Sequence, residues 1–256
     1  MTAVSRQNLD ADLRSLLAID GFSDYAPNGL QIEGRETIAK CAFAVSATVE
    51  SVERCVAVNA DALIVHHGLF WKFHGARPLT GPFARRVFPL VAHGINLFAY
   101  HLPLDAHPEF GNAATLARRL GLMELLPFGD HQGSATGVRG CFDIPPVACE
   151  LQRKLRVILQ HEVMLATPDE NAPVYTVGII TGGANSAWKQ AKSAGLDAYV
   201  TGEMSEHDWH ESREAGLHMF AGGHHATERF GIQALMRHIG VQYNLETVFF
   251  DSENPA

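Results

Sequence analysis

Four short segments carry side chains able to bind metal ions or move protons. The first is Leu63-Ile64-Val65-His66-His67-Gly68, an apolar run that ends in two imidazoles and a glycine. Neighbouring side chains on a regular strand point to opposite faces, so both rings address one site only if the strand ends near His66 and the chain turns at Gly68. The alternative is one core histidine and one solvated one. The second is Tyr100-His101-Leu102-Pro103-Leu104-Asp105, where Pro103 breaks regular pairing and can carry Asp105 into a crevice. An Asp before a helix also serves as a cap. The third is Gly222-Gly223-His224-His225-Ala226-Thr227-Glu228-Arg229. Its glycines permit a sharp turn before a helix whose apolar face includes Ile232, Leu235 and Met236, and His224 and Glu228 share a face if the helix has begun by then. Such a pair is a metal half-site; the other reading has Thr227 as N-cap, Glu228 on the helix dipole and His224 in solvent. The fourth, Thr201-Gly202-Glu203-Met204-Ser205-Glu206-His207, offers Glu203 and His207 as partners of metal ligands or as proton carriers, or else opens a solvated helix.

Composition favours the metal reading and removes several others. Fourteen of the 256 residues are histidine, an excess that invites a metal. With 20 Lys and Arg against 28 Asp and Glu the formal charge is −8, and no basic stripe follows a phosphate backbone, so duplex nucleic acid is not an expected partner. Hydrophobic residues at 46% and charged residues at 19% describe a packed body rather than a disordered one. The longest apolar runs fall far short of the roughly 18 residues a membrane span needs. Met1 to Asp20 mixes charges among its leucines and lacks the apolar core of a secretory signal, so the expected location is the cytoplasm. Cys41, Cys55, Cys141 and Cys149 form no C-x-x-C pair and read as reduced core thiols, with neither a disulfide framework nor a zinc ribbon. The P-loop, the G-x-S-x-G elbow and H-E-x-x-H are all missing. Gly182-Gly183-Ala184-Asn185 opens a helix and reads as a plain turn or as an anion cradle.

These segments need strands that deliver them to one place. Leu9, Leu13, Leu16 and Leu17 recur at helical spacing and Gly21 stops the helix. Short β-rich runs then alternate with helical patterns from Cys41 to Leu120 and again from Val138 to Asp251. This βαβ rhythm predicts an α/β protein with mainly parallel sheets covered by helices. Pro127 to Ser134, rich in turn formers, is the expected linker, giving a first α/β lobe over 1–127 and a second over 128–256. A weak internal echo, Asn59 to His67 against Gly195 to Glu203 and Gly94 to His101 against Gly216 to His224, suggests two similar lobes presenting strand ends to a crevice between them, where α/β proteins bind ligands.

Taken in order along nearly the whole chain, these residues resemble the NIF-three-like dinuclear metal-centre hexameric family, also called GTP cyclohydrolase I type-two homologues. The likeness runs through Asn28-Gly29-Leu30-Gln31, His66-His67-Gly68-Leu69-Phe70-Trp71, His101 to His107, Gly111-Asn112, Thr181 to Ala184, Thr201-Gly202-Glu203 and Gly223 to Arg229, in the short form of the family without an inserted domain. Gly68 departs from the proline of many relatives. The resemblance implies two divalent metal ions per subunit held by His66, His67, Asp105, His224 and Glu228, with Glu228 bridging, in a toroidal homohexamer with its sites facing an internal cavity. Of the two adjacent imidazoles it selects His224 over His225, and the helical spacing to Glu228 agrees. It implies a hydrolase, with metal-activated water opening the imidazole ring of a purine nucleotide such as GTP and His101, Glu203 and His207 as the candidate catalytic groups. Lys72, Arg77 and Arg229 are candidates to meet phosphates, or else are solvated. The alternatives are a two-metal phosphoesterase and a non-catalytic metal-binding ring or scaffold. A mixed N and O ligand set without cysteine suits Zn, Mn, Fe, Co or Ni and does not choose among them.

Overall fold

A computed structural model describes residues 2–256. In chain order the strands are β1 (Val4–Ser5), β2 (Gly29–Ile32), β3 (Thr37–Ile38), β4 (Lys40–Ser46), β5 (Ala62–His67), β6 (Asn96–Ala99), β7 (Met123–His131), β8 (Ser134–Cys141), β9 (Met164–Ala166), β10 (Thr176–Ile179), β11 (Ala198–Thr201), β12 (His218–Ala221) and β13 (Glu246–Phe250). The α-helices are α1 (Arg6–Leu16), α2 (Val49–Ala57), α3 (Gly81–Ala92), α4 (Leu102–Asp105), α5 (Asn112–Leu120), α6 (Ala148–Leu159), α7 (Trp188–Ser193), α8 (Glu206–Glu214) and α9 (His224–Tyr243). No helix among the described residues is long and apolar enough to cross a membrane.

The chain forms two compact units. One runs to Leu104 and resumes over Ile232–Ser252; the other holds Asp105–Gly231 and Glu253–Ala256. The division differs from a single break at 127/128. Pro127 to Ser134 lies inside the β7–β8 hairpin, whose two-residue tip, Gln132 and Gly133, takes positive φ at both positions (51° and 88°). Turn formers gather there because a tight hairpin needs left-handed backbone, and Pro127 and Gly129 are tolerated because β7 is an edge strand.

In the first unit the sheet order is β13-β4-β5-β6-β2, parallel except for β2. Five consecutive residues of β4, Cys41 to Val45, are buried, as a parallel strand covered on both faces requires. Val65 pairs with Ala99, so the residues that follow, His66 and Tyr100, sit side by side at the same end of the two strands. Leu63, Val65, Leu90, Leu97 and Phe83 pack in one core beneath that edge. The second sheet, β7-β8-β10-β11-β12-β9, is mixed rather than mainly parallel. Only β10, β11 and β12 run parallel; β8 joins β10 and β9 joins β12 antiparallel.

Cys41 and Cys55 are buried free thiols, and Cys141 and Cys149 are half-buried. Burial, with the nearby charge of Asp61, pushes the Cys41 and Cys55 thiols up to about 12, which makes them inert at neutral pH.

Helix α8 opens on a capping box between Ser205 and Asp208. The fully buried Asp208 also accepts from Trp188 Nε1 at 2.9 Å and Asn185 Nδ2 at 2.6 Å. Asp208→Ala strands these donors and should lower unfolding stability by about 2–3 kcal/mol, read from urea midpoints. An unchanged midpoint would refute this account of the cap.

Candidate metal centre

In the first unit the ends of β5 and β6 bring three imidazoles together. His66 is fully buried and its Nδ1 lies 2.9 Å from Tyr100 O. A carbonyl only accepts, so Nδ1 carries the proton and Nε2 keeps the lone pair that a metal needs. His67 Nδ1 meets Ser46 Oγ at 3.0 Å, and His101 Nδ1 meets Asp24 Oδ1 at 2.7 Å. The ring centroids stand 4.6 Å (His66–His67), 5.1 Å (His66–His101) and 5.7 Å (His67–His101) apart. One nitrogen from each ring lies within 4.8 Å of the others.

Asp24 is a residue that sequence reasoning missed, because it sits in a loop with no strand or motif to mark it. Its carboxylate side chain is 2% exposed. Besides His101 it accepts from Asn28 Nδ2 at 2.8 Å and from the Leu102 N–H at 3.0 Å. Burial alone would raise its pKa, but the hydrogen bond and charge of His101, with the Asn28 and Leu102 donors, outweigh it and hold Asp24 at about 2. A carboxyl depressed from 3.8 contributes stability that is present above pH 3.8 and lost as pH falls through about 2. Asp24→Asn should therefore remove about 2 kcal/mol at neutral pH and flatten the acid limb of the stability curve. Urea midpoints measured from pH 2 to 7 check this, and an acid limb identical in the variant would refute it.

In the second unit α9 begins at His224, one residue after the Gly222–Gly223 turn, so His224 and Glu228 stand one helical turn apart on one face. His224 Nε2 is 3.1 Å from Glu228 Oε2, and His224 Nδ1 is 2.6 Å from Glu203 Oε1. A Glu228 oxygen lies within 4.8 Å of an Asp105 oxygen. Asp105 Oδ1 accepts from Asn112 Nδ2 at 2.8 Å and Thr181 Oγ1 at 3.4 Å. Both carboxylates are buried, Glu228 at 3% and Asp105 at 8% exposure. Two glycines allow this closeness. A methyl group on Gly182, whose φ is +69°, would run into the Glu228 carboxylate, and one on Gly202 would meet backbone atoms of Gly182 and His224 at 2.7 Å.

The electrostatics of this set call for a cation. Burial disfavours a charged His224, yet its bonds and attraction to Glu228, then to Glu203, raise it to about 9. Two buried carboxylates this close repel unless positive charge stands between them. The carboxylate-backed His224 is also the arrangement in which an outer oxygen fixes Nδ1–H and aims Nε2 at a metal. The chain thus holds His, Asp and Glu groups able to bind a metal ion, and a nitrogen and oxygen donor set without thiolate fits the expected first-row divalent class.

The remaining candidates fall elsewhere. His207 sits in the first turn of α8, its side chain 61% exposed and its Nε2 3.5 Å from Asp208, so of the Glu203 and His207 pair only Glu203 touches a candidate ligand. His225 is buried, and its backbone N–H donates to Ala256 O. Lys72 Nζ donates to Asp24 O at 2.6 Å, Arg229 donates to Leu159 O, and Arg77 lies over Phe83 and bonds His74. The Gly182 N–H is taken by Thr227 Oγ1 at 3.1 Å, which favours a structural turn there over an anion cradle.

Comparison with known proteins gives one consistent answer. The profile of the family described as Duf34/NIF3 (NGG1p interacting factor 3) matches residues 4–255. A protein of Pasteurella multocida named GTP cyclohydrolase 1 type 2 homolog is 42% identical over 251 residues, covering 97% of this chain and 98% of the relative. One of the same name from Yersinia pestis is 41% identical over 254 residues, covering 97% and 98%. Among solved structures, a protein called ybgI superposes with a TM-score of 0.90 at 40% identity over 99% of this chain and 100% of that one. A protein from Thermus thermophilus does so with a TM-score of 0.90 at 34% identity, over 99% and 100%.

Proposed function

This chain belongs to the Duf34/NIF3 family, and from that premise we propose that it is a dinuclear metal-dependent hydrolase acting on a purine nucleotide by ring opening, in the manner the name GTP cyclohydrolase suggests. The observation that carries the reading is Glu228, a buried carboxylate set between the His224 imidazole and the Asp105 carboxylate. A buried carboxylate so placed is stabilised by a cation that it can share.

In this proposal His66, His67, Asp105, His224 and Glu228 are the residues that would hold the divalent ions. Ions held there would supply Lewis acidity and a water of lowered pKa. The chain's own residues do the rest. Tyr100 O and Glu203 hold the Nδ1 side of the His66 and His224 rings, which leaves Nε2 as the ligating atom of each. His101, oriented by Asp24 through Nδ1, keeps Nε2 for taking and returning a proton. Glu203 is the outer partner of His224 rather than a proton carrier, and His207 has no part, since its side chain is 61% exposed in the first turn of α8. A homohexameric ring in the cytoplasm is part of the same proposal and rests on family likeness.

The test is elemental analysis of protein purified without added metal, joined to a hydrolysis screen over purine nucleotides and phosphoesters. Near two equivalents of a first-row divalent ion per chain and turnover of a purine nucleotide are expected. A metal-loaded protein inert toward every substrate in the screen would overturn the hydrolase reading in favour of a metal-binding scaffold.

A further inference from the structure

The turn after β5 carries a run of aromatic side chains that leads outward from the imidazoles. Trp71 stands edge-on to His101, with centroids 5.1 Å apart at 86°, and 5.8 Å from His67. Phe73 stacks on Trp71 at 5.6 Å with an interplanar angle of 24° and is 70% exposed. Tyr25, 46% exposed, tilts against His101 at 6.2 Å. The segment is pinned: Leu69 is buried, its N–H donates to Gln31 Oε1 at 2.9 Å, and the Lys72 N–H donates to Tyr25 O at 2.8 Å.

We propose that Trp71 and Phe73, flanked by Tyr25, form a stacking shelf that binds a planar heteroaromatic ring of nucleobase size beside His67 and His101. The inference rests on the reading of those imidazoles as part of a reaction centre and adds the residues that choose the substrate. Large rings held rigidly in solvent are costly unless they are covered, and contiguous exposed apolar surface marks binding sites. Flat rings already stacked on one another offer a π-face on which any base stacks. Trp71 sets the shelf beside the imidazoles, with centroids 5.1 Å from His101 and 5.8 Å from His67, both within the roughly 4.5–7 Å of aromatic pairs.

The experiment is calorimetric titration of metal-loaded protein with guanosine 5′-monophosphate and, separately, ribose 5-phosphate. The nucleotide should bind about tenfold tighter or more, the range expected for one stacked base. Phe73→Ala and Trp71→Leu should each erase most of that preference and leave ribose 5-phosphate affinity unchanged. Phe73 is exposed enough for its variant to keep the native melting temperature. Equal affinity for the two ligands in the unaltered protein overturns the shelf. So does an unchanged preference in both variants, or a change of sedimentation coefficient instead of affinity, which would mean the rings meet a second copy of the chain. Binding is read without turnover, so the two readings fail separately: base preference without hydrolysis removes only the hydrolase, and hydrolysis without base preference removes only the shelf.

Discussion

Glu228→Gln should leave purified protein depleted of metal and abolish nucleotide turnover. The substitution keeps the size and shape of the side chain and removes its charge, so it separates ligation from packing. Glu228 lies at hydrogen-bonding distance from His224 and within 4.8 Å of an Asp105 oxygen. An amide oxygen is a far weaker ligand for a divalent ion than a carboxylate. Loss of an outer partner costs roughly 10–100-fold in metal affinity, and loss of a shared direct ligand should exceed that, to at least about a hundredfold. Glu203→Gln is the companion: it touches only Nδ1 of His224 and should fall in the roughly 10–100-fold range. Competition with a chromophoric chelator reads both. A Glu228→Gln protein with a full metal complement and native affinity would sink the proposed centre.

The second large effect is on stability. Stripping the metal with a chelator should lower Tm by on the order of 10 °C. A ligand present at about a thousand times its Kd stabilises the folded state by about 4 kcal/mol, and each kcal/mol moves Tm by roughly 2–4 °C in a chain of this size. The size of the drop should depend on pH, because in stripped protein the proton on His224 stands in for the ion. His224 is raised from 6.5 to about 9 by Glu228 and Glu203, so its contribution is fully present below pH 6.5 and lost as pH rises through about 9. Chelation should therefore lower Tm least near pH 6.5 and most above pH 9, as differential scanning calorimetry with and without chelator would show. A difference in Tm that does not vary with pH would refute the substitution of proton for metal.

The parts of the centre that were legible in the sequence are those delivered by short apolar runs. Val65 and Phe220 are fully buried, and each lies in a strand that ends within three residues of a candidate ligand, His66 and His224. A strand too short to be anything else, followed by glycine, announces its own end. Asp24 gave no such signal because its environment is made by partners far along the chain, His101 and Leu102. His207 looked like a companion of Glu203 by adjacency alone, yet the capping box that starts α8 sets it in solvent. The linker expected at Pro127 to Ser134 failed for a different reason: left-handed turn residues serve a hairpin tip and an interdomain loop equally well, and only pairing with Val138 and Ala135 distinguishes them. β9 and β2, of three and four residues, join their sheets antiparallel and carry little alternation to read.

Strand β13, the last to leave the ribosome, lies beside β4, one of the first. Asp105–Gly231 carries all of the second sheet, so that sheet can close while synthesis continues, whereas β4 waits as an open edge until Glu246–Phe250 has emerged. Shortening the chain before Glu246 should accordingly leave a protease-resistant fragment from the middle of the sequence and digest the earlier part. Equal digestion of both would show that the two halves mature together.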